Sequence, residues 1–253
     1  MRFASLGSGS RGNATLVEHG DTCVLLDCGF SVRETEYRLA RLGRDPGDLS
    51  AVLVTHEHSD HIHGIGALAR KYRLPVWASA GTLAAERLGE VPELVVFGSH
   101  APFAIDALDV TPFPVPHDAR EPCQFIFGDG ARRLGVLTDT GSRTAHIEAM
   151  LSGCDALLLE CNHDKTLLDN GRYPPSLKAR VGGDLGHLSN AQSQALLAAL
   201  DTTRLRHIVA AHLSEKHNTP ALARAALASA LGCEPEWIGV ADQAQGLDWR
   251  EIR

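Results

Sequence analysis

The sequence predicts an α/β fold, a layered sandwich in which two sheet-forming halves carry helices on their outer faces. Short apolar or β-branched runs bounded by glycine occur in both halves of the chain and indicate strands. Stretches with helical periodicity alternate with these runs, which places helices beside the sheets. The 253 residues are 44% hydrophobic and include no low-complexity linker, so we predict one domain over residues 1–253.

In the N-terminal third, apolar runs predict strands at 3–6, 14–17, 23–27, 51–54 and 75–78. Helical periodicity predicts helices at 32–42, 64–72 and 81–88. Between the first two strands, the Gly/Ser-rich segment 7–13 predicts a tight turn.

The rest of the chain continues this alternation. Strands are predicted at 94–97, 108–113, 123–127, 133–137, 156–160, 207–211, 237–240 and 247–252. Helices are predicted at 145–151, 191–200 and 220–231. Gly128-Asp129-Gly130 is typical of a hairpin turn, and Ser189 or Asn190 can cap the helix that begins at 191.

Charge and cysteine content exclude several classes of protein. The net charge of −7 argues against a broad basic face for duplex nucleic acid, although a locally basic cleft is compatible with it. We expect neither a membrane span nor a signal peptide, because the sequence has no long apolar run and no basic-then-apolar leader. Six irregularly spaced cysteines indicate buried, reduced thiols. We therefore expect a cytoplasmic protein without a membrane partner.

A metal-binding pattern follows the apolar run 51–54: His56-Glu57-His58-Ser59-Asp60-His61. Neutral imidazole nitrogens and carboxylate oxygens suit zinc and similar divalent ions. If strand geometry continued past this run, His56 and His58 would point the same way, because side chains alternate along a strand. Asp60 and His61 would then lie on the following turn or helical turn, where they can face a second ion.

Three further ligand-type residues stand directly after predicted strands: His117, Asp139 and His212. Strand ends on one edge of a sheet converge on a shared cleft, so these side chains are expected to join the histidine segment. His187 stands just before the helix at 191–200, and a histidine there can transfer a proton. The alternative for residues 186–190 is simple helix capping.

Taken together, these residues resemble the signature of the metallo-β-lactamase-fold hydrolases. The similar segments span nearly the whole chain and are 6–13, 25–29, 55–61, 137–141, 162–164, 186–190 and 212–214. Within that superfamily, the chain is most similar to the bacterial YycJ/WalJ group, which is regarded as exonuclease-like or phosphodiesterase-like. The resemblance implies a four-layer αβ/βα sandwich, two mixed β-sheets flanked by helices, with a dinuclear metal site at one edge.

The resemblance also assigns the metal ligands. One ion would be held by His56, His58 and His117, the other by Asp60, His61 and His212, and Asp139 would bridge both. Two divalent ions per chain are expected, with zinc as the default and manganese or iron also fitting these ligands. Asp27 would orient a ligand histidine through its second ring nitrogen.

The same resemblance implies phosphodiester hydrolysis by a hydroxide that bridges the two ions. The expected catalytic residues are Asp60, His187 and Glu160. His187 would protonate the leaving group, and Glu160 would be its acidic partner. Further residues expected to support the site or contact the substrate are Ser10, Asn13, His163 and Asp164.

The expected substrate is a phosphodiester in DNA or RNA. Only 22 positions separate His117 from Asp139, which leaves little room for the long tRNA-gripping arm of some related processing nucleases. The 73 positions from Asp139 to His212 are too few for the large extra domain of the related RNA-degrading branch. The alternative is a hydrolase of a small thioester, lactone or cyclic phosphodiester, because a fold does not fix its function. A non-catalytic metal-dependent binding module is a third hypothesis, against which the complete ligand set argues.

Overall fold

The apolar runs of the sequence assemble into two mixed β-sheets of seven strands each. The computed structural model describes residues 1–253. The two sheets pack face to face, and helices cover the outer face of each. This arrangement confirms the predicted layered α/β sandwich and its four layers.

The strands, in chain order, are β1 (Arg2–Gly7), β2 (Ala14–His19), β3 (Thr22–Leu26), β4 (Ala51–Leu53), β5 (Pro75–Ser79), β6 (Glu93–Phe97), β7 (Phe103–Ile105), β8 (Leu108–Pro114), β9 (Cys123–Gly128), β10 (Arg133–Leu137), β11 (Ala156–Glu160), β12 (His207–Ala211), β13 (Gly239–Val240) and β14 (Leu247–Glu251). The first sheet has the order β14-β1-β2-β3-β4-β5-β6, and the second has the order β13-β12-β11-β10-β9-β8-β7. The hairpin predicted at Gly128-Asp129-Gly130 joins β9 to β10.

The helices are α1 (Val32–Arg41), α2 (Ser59–Ile62), α3 (Ile65–Tyr72), α4 (Ala80–Leu83), α5 (Ala145–Leu151), α6 (Lys165–Asn170), α7 (Pro175–Val181), α8 (Asn190–Ala199) and α9 (Pro220–Leu231). Two short 3-10 turns cover Pro46–Asp48 and Pro235–Trp237. None of the helices combines the length and the apolar character needed to cross a membrane.

Three hydrophobic clusters account for the layering. The central cluster combines buried side chains of both sheets, such as Val24 in β3 and Leu158 in β11. A second cluster lies between β3–β5 and the inner faces of α1 and α3. A third lies between the second sheet and α5, α8 and α9. Because the central cluster draws on both halves of the chain, each sheet depends on the other for its buried face.

The strand directions fix where the polar residues meet. In the first sheet, β3 and β4 are parallel neighbours. In the second, β10, β11 and β12 are parallel, and β8 runs in the same direction because it is antiparallel to β9, which is antiparallel to β10. The carboxyl ends of these strands therefore lie at one edge of the sandwich.

The structure differs from the sequence prediction at four elements. The helix predicted at 81–88 ends at Leu83, and Glu86 adopts a left-handed φ of 56° that no helix accommodates. The short edge strand β7 and the helices α6 and α7 were not predicted. No residue of α7 is buried, and its seven residues include only two large apolar side chains, Leu177 and Val181, which is too few to reveal a helix.

Candidate active site

Polar side chains follow six of the strands that end at this edge of the sandwich. Asp27 follows β3, His117 follows β8, and Asp139, Glu160 and His212 lie at or after the ends of β10, β11 and β12. The histidine segment 56–61 follows β4. Apart from Glu160, these residues lie in the loops that follow the strand ends, where functional residues of parallel sheets are commonly found.

The first histidine cluster consists of His56, His58 and His117. Nε2 of His117 lies 3.2 Å from Nδ1 of His58, and the His56 ring centroid lies 4.6 Å from that of His58. The expected strand alternation is wrong, because β4 already ends at Leu53. A turn brings the two histidines together instead, and His58 precedes the first residue of α2.

The second cluster consists of Asp60, His61, Asp139 and His212. Asp60 and His61 lie on the first turn of α2, as the sequence predicts. Nε2 of His61 is 3.1 Å from Asp139 Oδ2, and Nε2 of His212 is 3.5 Å from Asp60 Oδ2. Four side chains from both sheets thus direct ligand atoms at one point.

Asp139 is the residue shared by the two clusters. Its Oδ1 lies 3.9 Å from His117 Nε2 in the first cluster and 3.6 Å from His212 Nε2 in the second. Burial by itself would raise the pKa of this carboxyl, but the charges of His212 and His61 hold it well below its ordinary value. Asp139 is therefore ionised and available to two cations at once.

The chemistry of the donor set fits bound divalent ions. His56 Nε2, His212 Nε2 and Asp139 Oδ2 are buried and have no hydrogen-bond partner of good geometry. Buried polar atoms normally have a hydrogen-bond partner. Three buried atoms without one in the same place therefore indicate that a partner of these atoms is missing. Burial also lowers the pKa of His56 well below its ordinary value, which leaves it neutral. Burial acts in the same direction on His61 and His212, but nearby carboxylates outweigh it and raise their pKa values, so an ion would displace protons from these two rings on binding.

Asp27 is not a member of the second cluster but orients one of its residues, His61. Its Oδ2 lies 2.8 Å from Nδ1 of His61, which leaves Nε2 of that ring for the cluster. Thr55, which the sequence reasoning did not single out, donates to the same carboxylate through its backbone N–H at 2.9 Å and its hydroxyl at 2.8 Å. The Thr55 hydroxyl also lies 2.9 Å from His56 Nδ1, so one residue bridges both clusters.

Three of the strand-end residues have an uncommon backbone conformation. Asp27, Asp139 and His212 have φ values of 61°, 52° and 55°, in the left-handed region that residues other than glycine rarely adopt. Such conformations persist where the surrounding structure enforces them, and they concentrate at functional sites. Here each conformation turns a strand end so that its side chain reaches the clusters.

His187 and Glu160 form a hydrogen-bonded pair beside the clusters. Nδ1 of His187 lies 2.8 Å from Glu160 Oε1, and Oε2 accepts from the backbone N–H groups of Thr140 and Leu188. Glu160 is fully buried. Burial would raise its pKa, but the charge and hydrogen bond of His187 lower it to about 2. The carboxylate is thus ionised and holds the His187 ring in one orientation.

A glycine allows the His187 loop to approach the second sheet. A Cβ at Gly141 would lie 2.4 Å from the backbone of Asp184 and Gly186. Only glycine permits this packing, which also brings Gly186 O within 3.0 Å of His117 Nδ1. The loop therefore positions His187 and orients His117 together.

The other four predicted residues lie in different surroundings. Asn13 Nδ2 lies 3.1 Å from His61 Nε2, while its Oδ1 accepts from Gly9 N within the loop. Ser10 is exposed and does not line the cleft in front of the clusters. Asp164 caps α6 through Leu167 N.

His163 is buried away from the clusters. Its Nδ1 lies 3.3 Å from the Asn162 side chain, and burial lowers its pKa to about 4. Neither His163 nor Asp164 contacts His187, so of the three candidate partners the structure brings Glu160 to that histidine. Ser189 caps α8 in a capping box with Gln192, which confirms one of the two predicted caps.

A cleft of about 450 Å³ opens in front of the clusters. Its lining residues are His58, Ser59, Asp60, Arg87, Asp118, Asp139, Leu177, Arg180, Val181, Gly186 and His187. Sequence reasoning missed Arg87, Asp118 and Arg180. They carry no motif, and the two arginines lie on a loop and on α7, where no apolar periodicity marks an inward face.

Comparison with known proteins places the chain in a family. A sequence model described as the beta-lactamase superfamily domain matches residues 22–213. The chain is 37% identical over 246 residues to the exodeoxyribonuclease YycJ of Bacillus anthracis, covering 96% of this chain and 92% of the relative. It is 35% identical over 246 residues to the exodeoxyribonuclease WalJ of Streptococcus pneumoniae, covering 95% and 91%.

Solved structures agree on the fold. The metallo-β-lactamase fold protein YhfI from Bacillus subtilis superimposes with a TM-score of 0.77, covering 98% of each chain at 17% identity. Identity at that level supports the fold alone. The family match and the two full-length relatives carry the assignment further: the chain belongs to the metallo-β-lactamase-fold superfamily, in the family that contains YycJ and WalJ.

Proposed function

We propose that the protein is a metal-dependent phosphodiesterase that hydrolyses nucleic acid, and DNA in particular, from an end. One observation carries the proposal: His187, hydrogen-bonded to the buried Glu160, stands beside two ligand clusters that share Asp139. Metal ligands alone would suit storage or structure, whereas an adjacent oriented histidine supplies a proton donor. Two relatives that align over nearly the whole chain are named exodeoxyribonucleases, which supports DNA as the substrate.

The ligand clusters would hold two divalent ions. His56, His58 and His117 would hold one, Asp60, His61 and His212 the other, and Asp139 would contact both. Nitrogen and oxygen ligands of this kind favour zinc, and manganese and iron suit them as well. When bound, such ions supply Lewis-acid activation of water and neutralise charge on a phosphate.

His187 would protonate the oxygen of the leaving group. Because Glu160 engages Nδ1, the nitrogen left to face the cleft is Nε2. Glu160 stays ionised and holds the His187 ring in one orientation through Nδ1. The side chain of His187 is 21% exposed, which gives it access to a bound substrate.

Asp27 and Thr55 would act as positioning residues. They fix the ring of His61 through Nδ1, and Thr55 extends the same support to His56. The amide of Asn13 lies near His61 and Asp60, so this residue would border the substrate beside the second cluster. Ser10 is proposed only as a contact to substrate that extends beyond the cleft.

The test combines elemental analysis with digestion of end-labelled DNA and RNA, both single- and double-stranded. We expect stepwise loss of nucleotides from DNA ends. His187→Ala should lower turnover by about 10²- to 10⁴-fold while the metal content stays unchanged. His100→Ala, which removes an exposed histidine outside the cleft, is the matched control.

Two results would contradict the proposal. If His187→Ala retains full turnover, the histidine has no part in the reaction. If the wild-type protein digests no nucleic acid but hydrolyses a small thioester, lactone or cyclic phosphodiester, the site serves the alternative function.

A further inference from the structure

We propose that Arg87 and Arg180 form a clamp that holds the phosphates on either side of the bond to be cleaved. The inference rests on the proposed function, and it names the residues that bind the substrate strand. Both arginines line the cleft in front of the ligand clusters, and it has no other lysine or arginine in its lining. They come from opposite halves of the sandwich, so a strand in the cleft would pass between them.

Arg87 brings a free positive charge to the first cluster. Its Nη1 donates to the backbone carbonyl of Glu57 at 3.3 Å, and Glu57 lies between His56 and His58 in the sequence. The one hydrogen bond of the Arg87 guanidinium is to this carbonyl, and no carboxylate pairs with it, although the chain carries more acidic than basic residues. A guanidinium has five N–H donors, and one hydrogen bond leaves most of them for a ligand.

Arg180 brings the second charge from α7. Its Nε donates to Asp118 Oδ2 at 2.6 Å, and Oδ1 of the same carboxylate lies 3.7 Å from His58 Nε2. The side chain of Arg180 is 61% exposed. The ion pair thus holds the guanidinium beside the clusters while its Nη groups remain free for a phosphate.

The charge balance of the cleft explains why two arginines are needed there. The lining includes three carboxylates, Asp60, Asp118 and Asp139, and the whole chain has a net charge of −7. A nucleic-acid strand would be repelled unless cations face it locally. Bound metal ions would offset Asp60 and Asp139 at the scissile phosphate, and the arginines would serve its neighbours.

The geometry also separates substrate binding from proton transfer. Neither arginine contacts His187 or Glu160. Loss of an arginine should therefore weaken binding of a strand and leave the reacting groups in place. A contact between arginine and phosphate releases a counterion, so its loss should also reduce the salt dependence of binding.

The experiment measures the metal-loaded protein in two ways over a range of KCl concentrations. Digestion of end-labelled DNA gives KM and kcat, and fluorescence anisotropy with a phosphorothioate oligonucleotide gives Kd. Arg87→Gln and Arg180→Gln are each expected to raise Kd and KM about tenfold, with kcat within about threefold of wild type. The slope of log Kd against log salt should fall by about 1 for each variant.

Two controls keep the test specific. Arg41→Gln removes the same charge from an exposed position on α1, outside the cleft, and should leave Kd and its salt slope unchanged. Arg180→Gln also frees the Asp118 carboxylate, which could repel the strand. Combining it with Asp118→Asn removes that charge, and the double variant should bind as weakly as Arg180→Gln.

Distinct results would overturn the clamp and the proposed function. If the wild-type protein digests DNA and both arginine variants match it in Kd and KM, the clamp is wrong and the proposed function stands. The clamp is also wrong if Arg41→Gln weakens binding equally, or if Asp118→Asn restores wild-type binding to Arg180→Gln. If the wild-type protein neither binds nor digests any nucleic acid, the proposed function fails, and the clamp fails with it.

Discussion

The two halves of the sandwich build the candidate site in different ways. The first sheet contributes four candidate ligand residues from one continuous segment, 56–61, supported by Asp27 at the end of β3. The second sheet contributes single residues from five separate loops or strand ends, among them Asp139 and His212. The first region is therefore a local motif, whereas the second exists only once the parallel strands are aligned.

This difference has a structural consequence. In the first region, a turn and one helical turn of α2 set the spacing of the ligands, so short-range geometry suffices. In the second, Asp139 and His212 come from different strands, and each adopts a left-handed backbone conformation at its strand end, as Asp27 does in the first region. The dispersed region thus depends on the packing of the whole second sheet, and its residues are expected to be the more sensitive to substitution.

The largest effect is expected at Asp139, which joins the two regions. Asp139→Ala removes a carboxylate within reach of ligand atoms in both clusters. We expect turnover to fall by at least about 10³-fold, because both ions lose a ligand. Elemental analysis should show fewer than two ions per chain. A variant with two ions and wild-type turnover would show that the two clusters do not share this residue.

A smaller loss is expected at Glu160. Glu160→Gln keeps the shape of the side chain but removes the charge that faces His187 Nδ1. We expect turnover to fall by about 10- to 100-fold with no loss of metal, since a positioning residue acts through its partner. Measurement of kcat alongside metal content separates this role from ligation. If the metal content falls with kcat, Glu160 also supports metal binding, either as a ligand or through His212, whose Nδ1 lies 3.4 Å from Glu160 Oε1.

The first region offers the corresponding test at Asp27. Asp27→Asn should weaken metal affinity by about 10-fold, because the ring of His61 loses the carboxylate that fixes it. Competition with a chelator of known affinity measures the affinity of the protein for each of the two ions separately. We expect only one of the two ions to be affected, since Asp27 contacts His61 and no ligand of the first cluster. Equal weakening of both ions would show that Thr55 transmits the effect to His56.

The smallest effect concerns the cysteines, which lie in both regions and outside the site. Burial raises the pKa of Cys23, Cys123 and Cys161 to about 12, and that of Cys28 and Cys154 to about 11. These thiols stay protonated at pH 8 and unreactive, because the thiolate is the nucleophile. Alkylation of the native protein at pH 8 should therefore label Cys233 alone, the one cysteine that is partly exposed.

The raised pKa values of these thiols also determine how the stability of the folded state changes at alkaline pH. A thiol whose pKa is higher in the folded state stabilises that state fully below the unfolded pKa, near 9. This stabilisation is lost as the pH rises through the thiol pKa values of the folded state, about 11 to 12. The urea midpoint should accordingly fall above pH 9, together with labelling of all six thiols. A midpoint that stays constant to pH 11 would contradict this.

The residues of the two regions were predictable from different kinds of signal in the sequence. Residues 56–61 were recognisable because their spacing survives without any tertiary contact. His117, Asp139 and His212 were recognisable because each follows a buried strand, and strand ends can be located from apolar runs. The fold followed from the same runs, and the helix at 81–88 was overextended because a left-handed Glu86 leaves no signal in the sequence.

The features that sequence reasoning missed share a physical cause. Thr55, Arg87 and Arg180 act through contacts with residues that are distant along the chain or through exposed side chains, and neither produces a periodic pattern. Helix α7 was missed because none of its residues is buried. His163 and Asp164 were grouped with the site by their position after β11, although the structure gives Asp164 a capping role instead.

The central claim is that two structurally different regions together build one dinuclear site, and metal stoichiometry tests it most directly. Elemental analysis of the purified protein, dialysed against a weak chelator, should find two divalent ions per chain. His56→Ala, which alters the first cluster, and His212→Ala, which alters the second, should each retain one ion. A wild-type protein with one ion or none, or a pair of variants that both keep two, would contradict the account.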